Sequence, residues 1–310
     1  MKTLNLAALA ALLILSAPLC ARASAIEDLG LENGDFSDMP AAAAAPQASP
    51  SGMIEAEQYL PPNNDEPGFE WPGKSGNKGV ELNYFRTGKE ATFLKASPDM
   101  AADLAEGTGK CALAPNTTYN TSMKPGFEGE HMTVRLAEPL PGCQLTSGYV
   151  YLPHVSSSSA GGLWELPKTV RAFLDTLAYS EGTKEHYNYI FTFVPFTSYA
   201  DHPRKVVCAG SLCSSAAGRY QFLSKTWDPL AADLGLKDFT PPSQEKACLE
   251  LVRRAGAYNL ALKSDKLANF KAAVGKLNAI WASLPGSPYG QPTHSMTALW
   301  KAYQANLAKY

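Results

Sequence analysis

The sequence predicts a small, mostly β domain followed by an α+β domain in which helices predominate. Three features support this organisation. Short alternating patterns of apolar and polar residues occupy residues 81–155, amphipathic helical patterns dominate residues 163–310, and a Ser/Gly-rich linker separates them at 156–162. With 310 residues and 45% hydrophobic composition, the chain is long enough for one or two ordinary cores.

The first 25 residues have the pattern of a signal peptide. Lys2 supplies a positive charge, residues 6–15 form an apolar run, and the small residues 23–25 fit a cleavage site. The run is too short for a membrane span, so we expect an exported protein, periplasmic or secreted, without stable membrane insertion. Residues 26–80, first acidic and then rich in Ala, Pro, Gly and Asn, predict a disordered or irregular tether.

The β domain is predicted from four strand-like segments at 90–95, 109–113, 131–137 and 143–152, with turn residues between them. In the third segment, Met132, Val134 and Leu136 alternate with polar neighbours. Strands of this length and spacing resemble the SH3-like modules often attached to bacterial wall enzymes. Cell-wall binding and a packing role both stay open for this domain.

Helices are predicted in the second domain at 167–181, 222–235, 241–255, 265–282 and 293–308. Between the first two helices, residues 186–221 are aromatic and β-branched with intervening turns, which favours an inserted β-hairpin lobe.

Five cysteines remain after the predicted cleavage, in a compartment that permits disulfides. Cys208 and Cys213 are close enough to staple a loop, and Cys111 with Cys143 could close a larger one, although the sequence leaves the pairing open. Cys248 lies in an apolar helical pattern, as expected of a buried free thiol. The five His residues fall at no metal-ligand spacing with these cysteines, so no metal is predicted.

The net charge of −2 conceals an asymmetry. Residues 26–162 carry 8 basic and 18 acidic residues, whereas residues 163–310 carry 17 and 11. A basic second half would attract an anionic polymer. The alternative is that this surface charge only keeps each domain soluble. The acidic first half and predicted export argue against nucleic acid as a partner. The absence of a phosphate-cradling glycine loop implies no nucleotide cofactor.

Glu181 stands out because it ends an amphipathic helix directly before a glycine. Gly182 is a natural residue after a helix C-terminus, so Glu181 meets the negative end of the helix dipole. The dipole and any desolvation by packing both raise the pKa of a carboxyl. A carboxylic acid that stays protonated near neutral pH is what a glycosidic oxygen needs as a proton donor.

Six motifs of the second domain, read together, resemble the phage lambda endolysin-like family of lytic transglycosylases, within the lysozyme-like superfamily. The resemblance covers residues 166–300. The motifs are, in order, Ser180-Glu181-Gly182-Thr183, Asp201-His202-Pro203-Arg204-Lys205, Ala217-Gly218-Arg219-Tyr220-Gln221, Gly235-Leu236-Lys237-Asp238-Phe239, Ile280-Trp281-Ala282-Ser283-Leu284-Pro285-Gly286 and Tyr289-Gly290-Gln291.

This resemblance implies a lysozyme-like α+β fold and cleavage of the β-1,4 bond between N-acetylmuramic acid and N-acetylglucosamine in peptidoglycan, without a cofactor. Glu181 matches the single catalytic glutamate, which acts first as acid and then as base. Residues 186–199 contain no Asp or Glu, and Asn188 stands where the family's lambda member has an aspartate. A hydrolase would need a second carboxylate or an amide-held water, with Asp201 the nearest candidate.

The resemblance also implies substrate-binding roles for residues beside the acid. Gln221, at the end of a strand predicted over 218–221, matches a cleft-facing glutamine. Tyr220 alternates with it in that strand, so one of the two side chains faces the cleft and the other the core, and we favour Gln221 for the cleft. The expected substrate-binding set is completed by Tyr220, Tyr289, Asn188, Asp201 and Gln291.

Three readings of function follow. The first is an exported lytic transglycosylase that acts on peptidoglycan glycan strands. The second is a hydrolysing muramidase on the same scaffold, tuned to modified glycan, because the aromatic segment 187–194 replaces a glycine-containing one of the family. The third is a non-catalytic glycan-binding protein. The oligomeric state and the wall attacked stay open.

Overall fold

The computed structural model describes residues 84–155 and 166–310, together with 54–55, 60–62, 66 and 69. The predicted signal peptide, the Ser/Gly linker and most of the tether lie outside these residues. The described part is a mixture of helices and sheets, and none of its helices has the length and apolar character that a membrane crossing requires.

The first strand, β1 (Ile54–Glu55), lies in the tether. The described strands of the β domain are β2 (Tyr84–Arg86), β3 (Thr92–Lys95), β4 (Lys110–Leu113), β5 (Thr118–Asn120), β6 (Gly126–Glu128), β7 (His131–Arg135) and β8 (Ser147–Tyr151). They form a five-stranded antiparallel sheet with the order β4-β3-β8-β7-β6 and a separate pair, β2 with β5. The four predicted strands are present, somewhat shorter than expected. The SH3-like resemblance stays a prediction.

Alternation along β7 and β8 fixes which face of the sheet is buried. Met132, Val134 and Val150 point into the domain core with Leu94 of β3, because successive side chains of a strand face opposite sides. A disulfide between Cys111 of β4 and Cys143, 32 residues later, fastens the edge strand to the loop between β7 and β8.

The second domain is built from five longer helices and one short one. They are α1 (Lys168–Ser180), α2 (Ser224–Leu234), α3 (Pro241–Arg254), α4 (Tyr258–Leu262), α5 (Leu267–Leu277) and α6 (Met296–Leu307). The buried face of α1 packs along α6, and buried Cys248 of α3 is the free thiol that the sequence predicted.

Two helix boundaries differ from prediction by three residues or more. Helix α5 ends at Leu277 rather than 282, since Asn278 caps it and donates its side-chain N–H to the carbonyls of Pro285 and Gly286. Helix α6 begins three residues later than expected because Ser295 is its N-cap and accepts a hydrogen bond from Ala298 N.

The predicted lobe after α1 contains two hairpins. They are formed by β9 (Tyr189–Ile190) with β10 (Val194–Pro195), and by β11 (Val207–Ala209) with β12 (Leu212–Ser214). A disulfide joins Cys208 and Cys213, which face each other in the second hairpin. From the tether, β1 (Ile54–Glu55) pairs with β12 in parallel. Further along the tether, Glu66 accepts hydrogen bonds from Tyr258 N and Asn259 N at the start of α4.

The β domain and the lobe share one hydrophobic core. Tyr187 and Tyr199 of the lobe are buried in the β-domain cluster, and Phe196 packs against the cores of both domains. The Tyr199 hydroxyl donates to Gly129 O at 3.0 Å. The lobe beside the cleft is therefore continuous with the β domain.

Candidate active site

The end of α1 places Glu181 where the sequence predicted. Glu181 N still bonds to Leu177 O at 3.1 Å, and Gly182 then takes a positive φ of 75°. Thr183 N returns to Ala178 O at 3.1 Å, which closes the helix end. A side chain at Gly182 would meet the Phe193 ring at 2.9 Å, so both the backbone angle and the packing require glycine here.

The surrounding protein largely shields the Glu181 carboxyl from water. Burial raises its pKa from 4.5 to about 7, and the hydroxyl of Ser283, which donates to Glu181 Oε1 at 2.5 Å, partly opposes that rise. The expected rise in pKa is thus present, with burial as its main cause. At neutral pH a large fraction of this group is a protonated acid.

Glu181 opens onto a cleft of about 490 Å³, a volume that includes open solvent. One wall is apolar and comes from the segment after α5, with Ile280, Trp281 and Ala282. The other residues around it come from the lobe and its turns, and from the loop before α6: Phe191, Leu212, Ser214, Ala216, Gln221, Leu223 and Gln291. Glu181 is the only carboxyl among these described lining residues.

Gln221 faces the cleft from a turn, and the prediction of a strand at 218–221 was wrong. The chain forms a turn between the bridged residues Ala217 and Phe222, with a φ of 48° at Gln221. The Gln221 amide nitrogen donates to Tyr189 O at 3.2 Å and to Gly218 O at 2.9 Å. Because these bonds use both N–H groups, the side-chain oxygen is what Gln221 offers a ligand.

Of the other predicted site residues, only Gln291 lines the cleft with Glu181 and Gln221. Tyr220 is fully buried and donates to Glu245 Oε1 at 2.7 Å. Asn188 is buried as well, with its amide donating to Phe196 O at 3.0 Å. The structure therefore gives Tyr220 and Asn188 packing positions rather than cleft positions.

The remaining two predicted residues also bond to the protein. The Tyr289 hydroxyl donates to Ala279 O at 2.6 Å, which holds the loop before α6. Asp201 is exposed and accepts from His202 N at 2.7 Å and from the Arg204 guanidinium. Those hydrogen bonds lower the pKa of Asp201, that of the Arg204 side chain most. Asp201 is a turn-forming acid and does not line the cleft with Glu181.

Sequence reasoning missed Ser283, the hydrogen-bond partner of the acid. It lies 102 residues after Glu181, so no local pattern links the two. The signal available was its place in one of the six motifs, two residues after Trp281. Trp281 is buried, and its Nε1–H donates to Tyr220 O at 3.0 Å.

A half-buried carboxyl with a raised pKa, at the end of a helix and beside a β lobe, is typical of the lysozyme-like class of glycan-cleaving enzymes. A family model described as Endolysin matches residues 171–310. The endolysin of Escherichia phage lambda is 42% identical over 144 residues, which make up 44% of this chain and 89% of the phage protein.

The endolysin of Escherichia phage P2 is 37% identical over 150 residues, covering 43% of this chain and 88% of that protein. Among solved structures, bacteriophage lambda lysozyme complexed with a chitohexasaccharide is 39% identical, with a TM-score of 0.43 and coverage of 46% of this chain and 96% of its own. The chain belongs to the endolysin family, and this membership indicates a lysozyme-like enzyme that cleaves peptidoglycan.

Proposed function

We propose that this protein is a lytic transglycosylase, which cuts the bond between N-acetylmuramic acid and N-acetylglucosamine and leaves a 1,6-anhydro end. The observation that carries the proposal is the single carboxyl, Glu181, among the described residues of the cleft. Its pKa of about 7 suits a group that must give a proton and later take one back.

The reaction needs only this one acid. In the first step Glu181 gives its proton to the glycosidic oxygen as the bond to the muramic anomeric carbon breaks. In the second step the muramic C6 hydroxyl attacks that carbon, and its proton returns to Glu181. One C–O bond breaks, another forms and no water is consumed, so a second carboxylate is unnecessary.

Two polar groups assist Glu181. The Ser283 hydroxyl bonds to Glu181 Oε1 and stabilises the carboxylate that exists between the two steps. The side-chain oxygen of Gln221 would accept a hydrogen bond from a sugar hydroxyl or an N-acetyl N–H beside the cut bond.

We further propose that the enzyme is exported and acts on glycan strands outside the cytoplasm. The support is the signal-peptide pattern of residues 1–25.

Mass spectrometry of products from purified sacculi tests the reaction type. The transglycosylase predicts muropeptides lighter by one water than those of a hydrolysing muramidase run in parallel. Products of full hydrolytic mass would refute the proposal and leave the muramidase reading. The variant Glu181→Gln is expected to release nothing, and full lytic activity in that variant would exclude both reactions.

A further inference from the structure

Arg219 lies in the turn that carries Gln221, yet its side chain is 1% exposed. The guanidinium reaches two acids on different helices. Its Nη2 lies 2.7 Å from Asp175 Oδ1 of α1, and its Nη1 lies 2.9 Å from Glu245 Oε1 of α3. A buried charge of this kind is tolerated only when paired and hydrogen-bonded.

The same residue also holds the chain that follows the acid. Arg219 Nε–H donates to Lys184 O at 2.7 Å, and the Thr183 hydroxyl donates to Arg219 O at 2.5 Å. Asp175 and Lys184 lie on either side of Glu181 in the sequence. Arg219 therefore fixes both ends of the segment that carries the acid.

The turn itself is fixed against two further elements. Arg219 N donates to Gln244 Oε1 of α3 at 2.8 Å, and the indole of Trp281 donates to Tyr220 O at 3.0 Å. Gly218 N donates to Tyr189 O at 2.8 Å. The position of Gln221 is thus set by bonds that converge on its three preceding residues.

We propose that Arg219 is a positioning residue for glycan cleavage, which holds Glu181 and the Gln221 amide, both of which line the cleft, in fixed relative positions. This inference rests on the proposed function. Its effect is geometric: Arg219 is absent from the causes that set the pKa of Glu181, which are burial and the Ser283 hydrogen bond. The positive charge of Arg219 is instead paired with the carboxylates of Asp175 and Glu245.

The chain offers a matched control in Arg254 of α3. Its guanidinium is nearly as buried and also bonds to two acids, the buried Glu250 at 2.8 Å and the half-exposed Asp233 at 2.8 Å. None of these three residues lines the cleft. Replacing Arg254 therefore tests what the loss of a buried, doubly paired arginine does by itself.

The experiment compares Arg219→Lys with Arg254→Lys in the full chain, by thermal melting and by kcat, KM and pH profile on solubilised glycan strands. Both variants should melt at lower temperature. At a temperature where both are folded, Arg219→Lys should lose about 10- to 100-fold in kcat, with KM and the pH limb of Glu181 nearly unchanged. Arg254→Lys should keep its kcat.

Equal kcat values for the two variants, or a loss in Arg219→Lys that appears only in KM, would overturn the inference. A moved pH limb would overturn it too, since it would make the effect electrostatic. If Arg219→Lys does not fold, Thr183→Val is the second variant, because it removes the hydroxyl that bonds to Arg219 O. Thr183→Val should lower kcat and leave KM unchanged, and an unchanged kcat would overturn the inference. Inactive wild-type protein would instead count against the proposed function.

Discussion

Glu181 should destabilise the folded protein above neutral pH, and Glu181→Gln should remove that cost. Folding raises the pKa of this carboxyl from 4.5 to about 7, so the folded state favours the protonated acid. The resulting stability is fully present below about pH 4.5 and is lost as the pH rises through about 7. A pKa change of this size corresponds to about 3 kcal/mol once the group has ionised.

Denaturant unfolding between pH 4.5 and 8 measures the effect. The stability of Glu181→Gln relative to wild type should rise by about 3 kcal/mol across that range, because glutamine does not titrate. Glu138→Gln, on an exposed loop of the β domain, is the control for the substitution of a glutamate by a glutamine at the surface. A Glu181→Gln advantage that stays constant with pH would refute the burial-driven shift.

Three further predictions concern the acid, the turn and the β domain. Ser283→Ala should raise the pKa of Glu181 further and move the alkaline limb of kcat/KM to higher pH by about one unit, and an unmoved limb would contradict it. Gln221→Gly should lower kcat/KM about 10-fold with little change in Tm, since glycine relieves the positive φ while the amide is lost. Replacing Cys111 and Cys143 by serine should cost about 4 kcal/mol in urea unfolding without reductant, as expected for a 32-residue separation.

The end of α1 was predictable because the information is local. A helical apolar pattern and the glycine after Glu181 fix where the helix stops, and the structure ends α1 at Ser180. Three strands of the β domain, β2, β5 and β6, were not predicted. Each has only three residues, which is too short for an alternating apolar and polar pattern to be recognised.

The turn at Gln221 was not predictable, because its conformation depends on distant partners. A positive φ at a non-glycine residue is uncommon, and here the partner Tyr189 O, 32 residues earlier, holds the amide in place. The predicted strand placed Gln221 in the cleft and Tyr220 in the core. The structure has both side chains in those positions, although residues 218–221 form a turn and not a strand.

The core shared through Tyr187, Phe196 and Tyr199 has a consequence for how the enzyme can be divided. A catalytic fragment beginning at residue 166 would bring these three rings to the surface as an apolar patch, with the hydroxyl of Tyr199 deprived of Gly129 O. Such a fragment should aggregate or melt early, even though it contains the complete cleft. The β domain is therefore part of the folding unit of the enzyme, and the two domains should be expressed and engineered together.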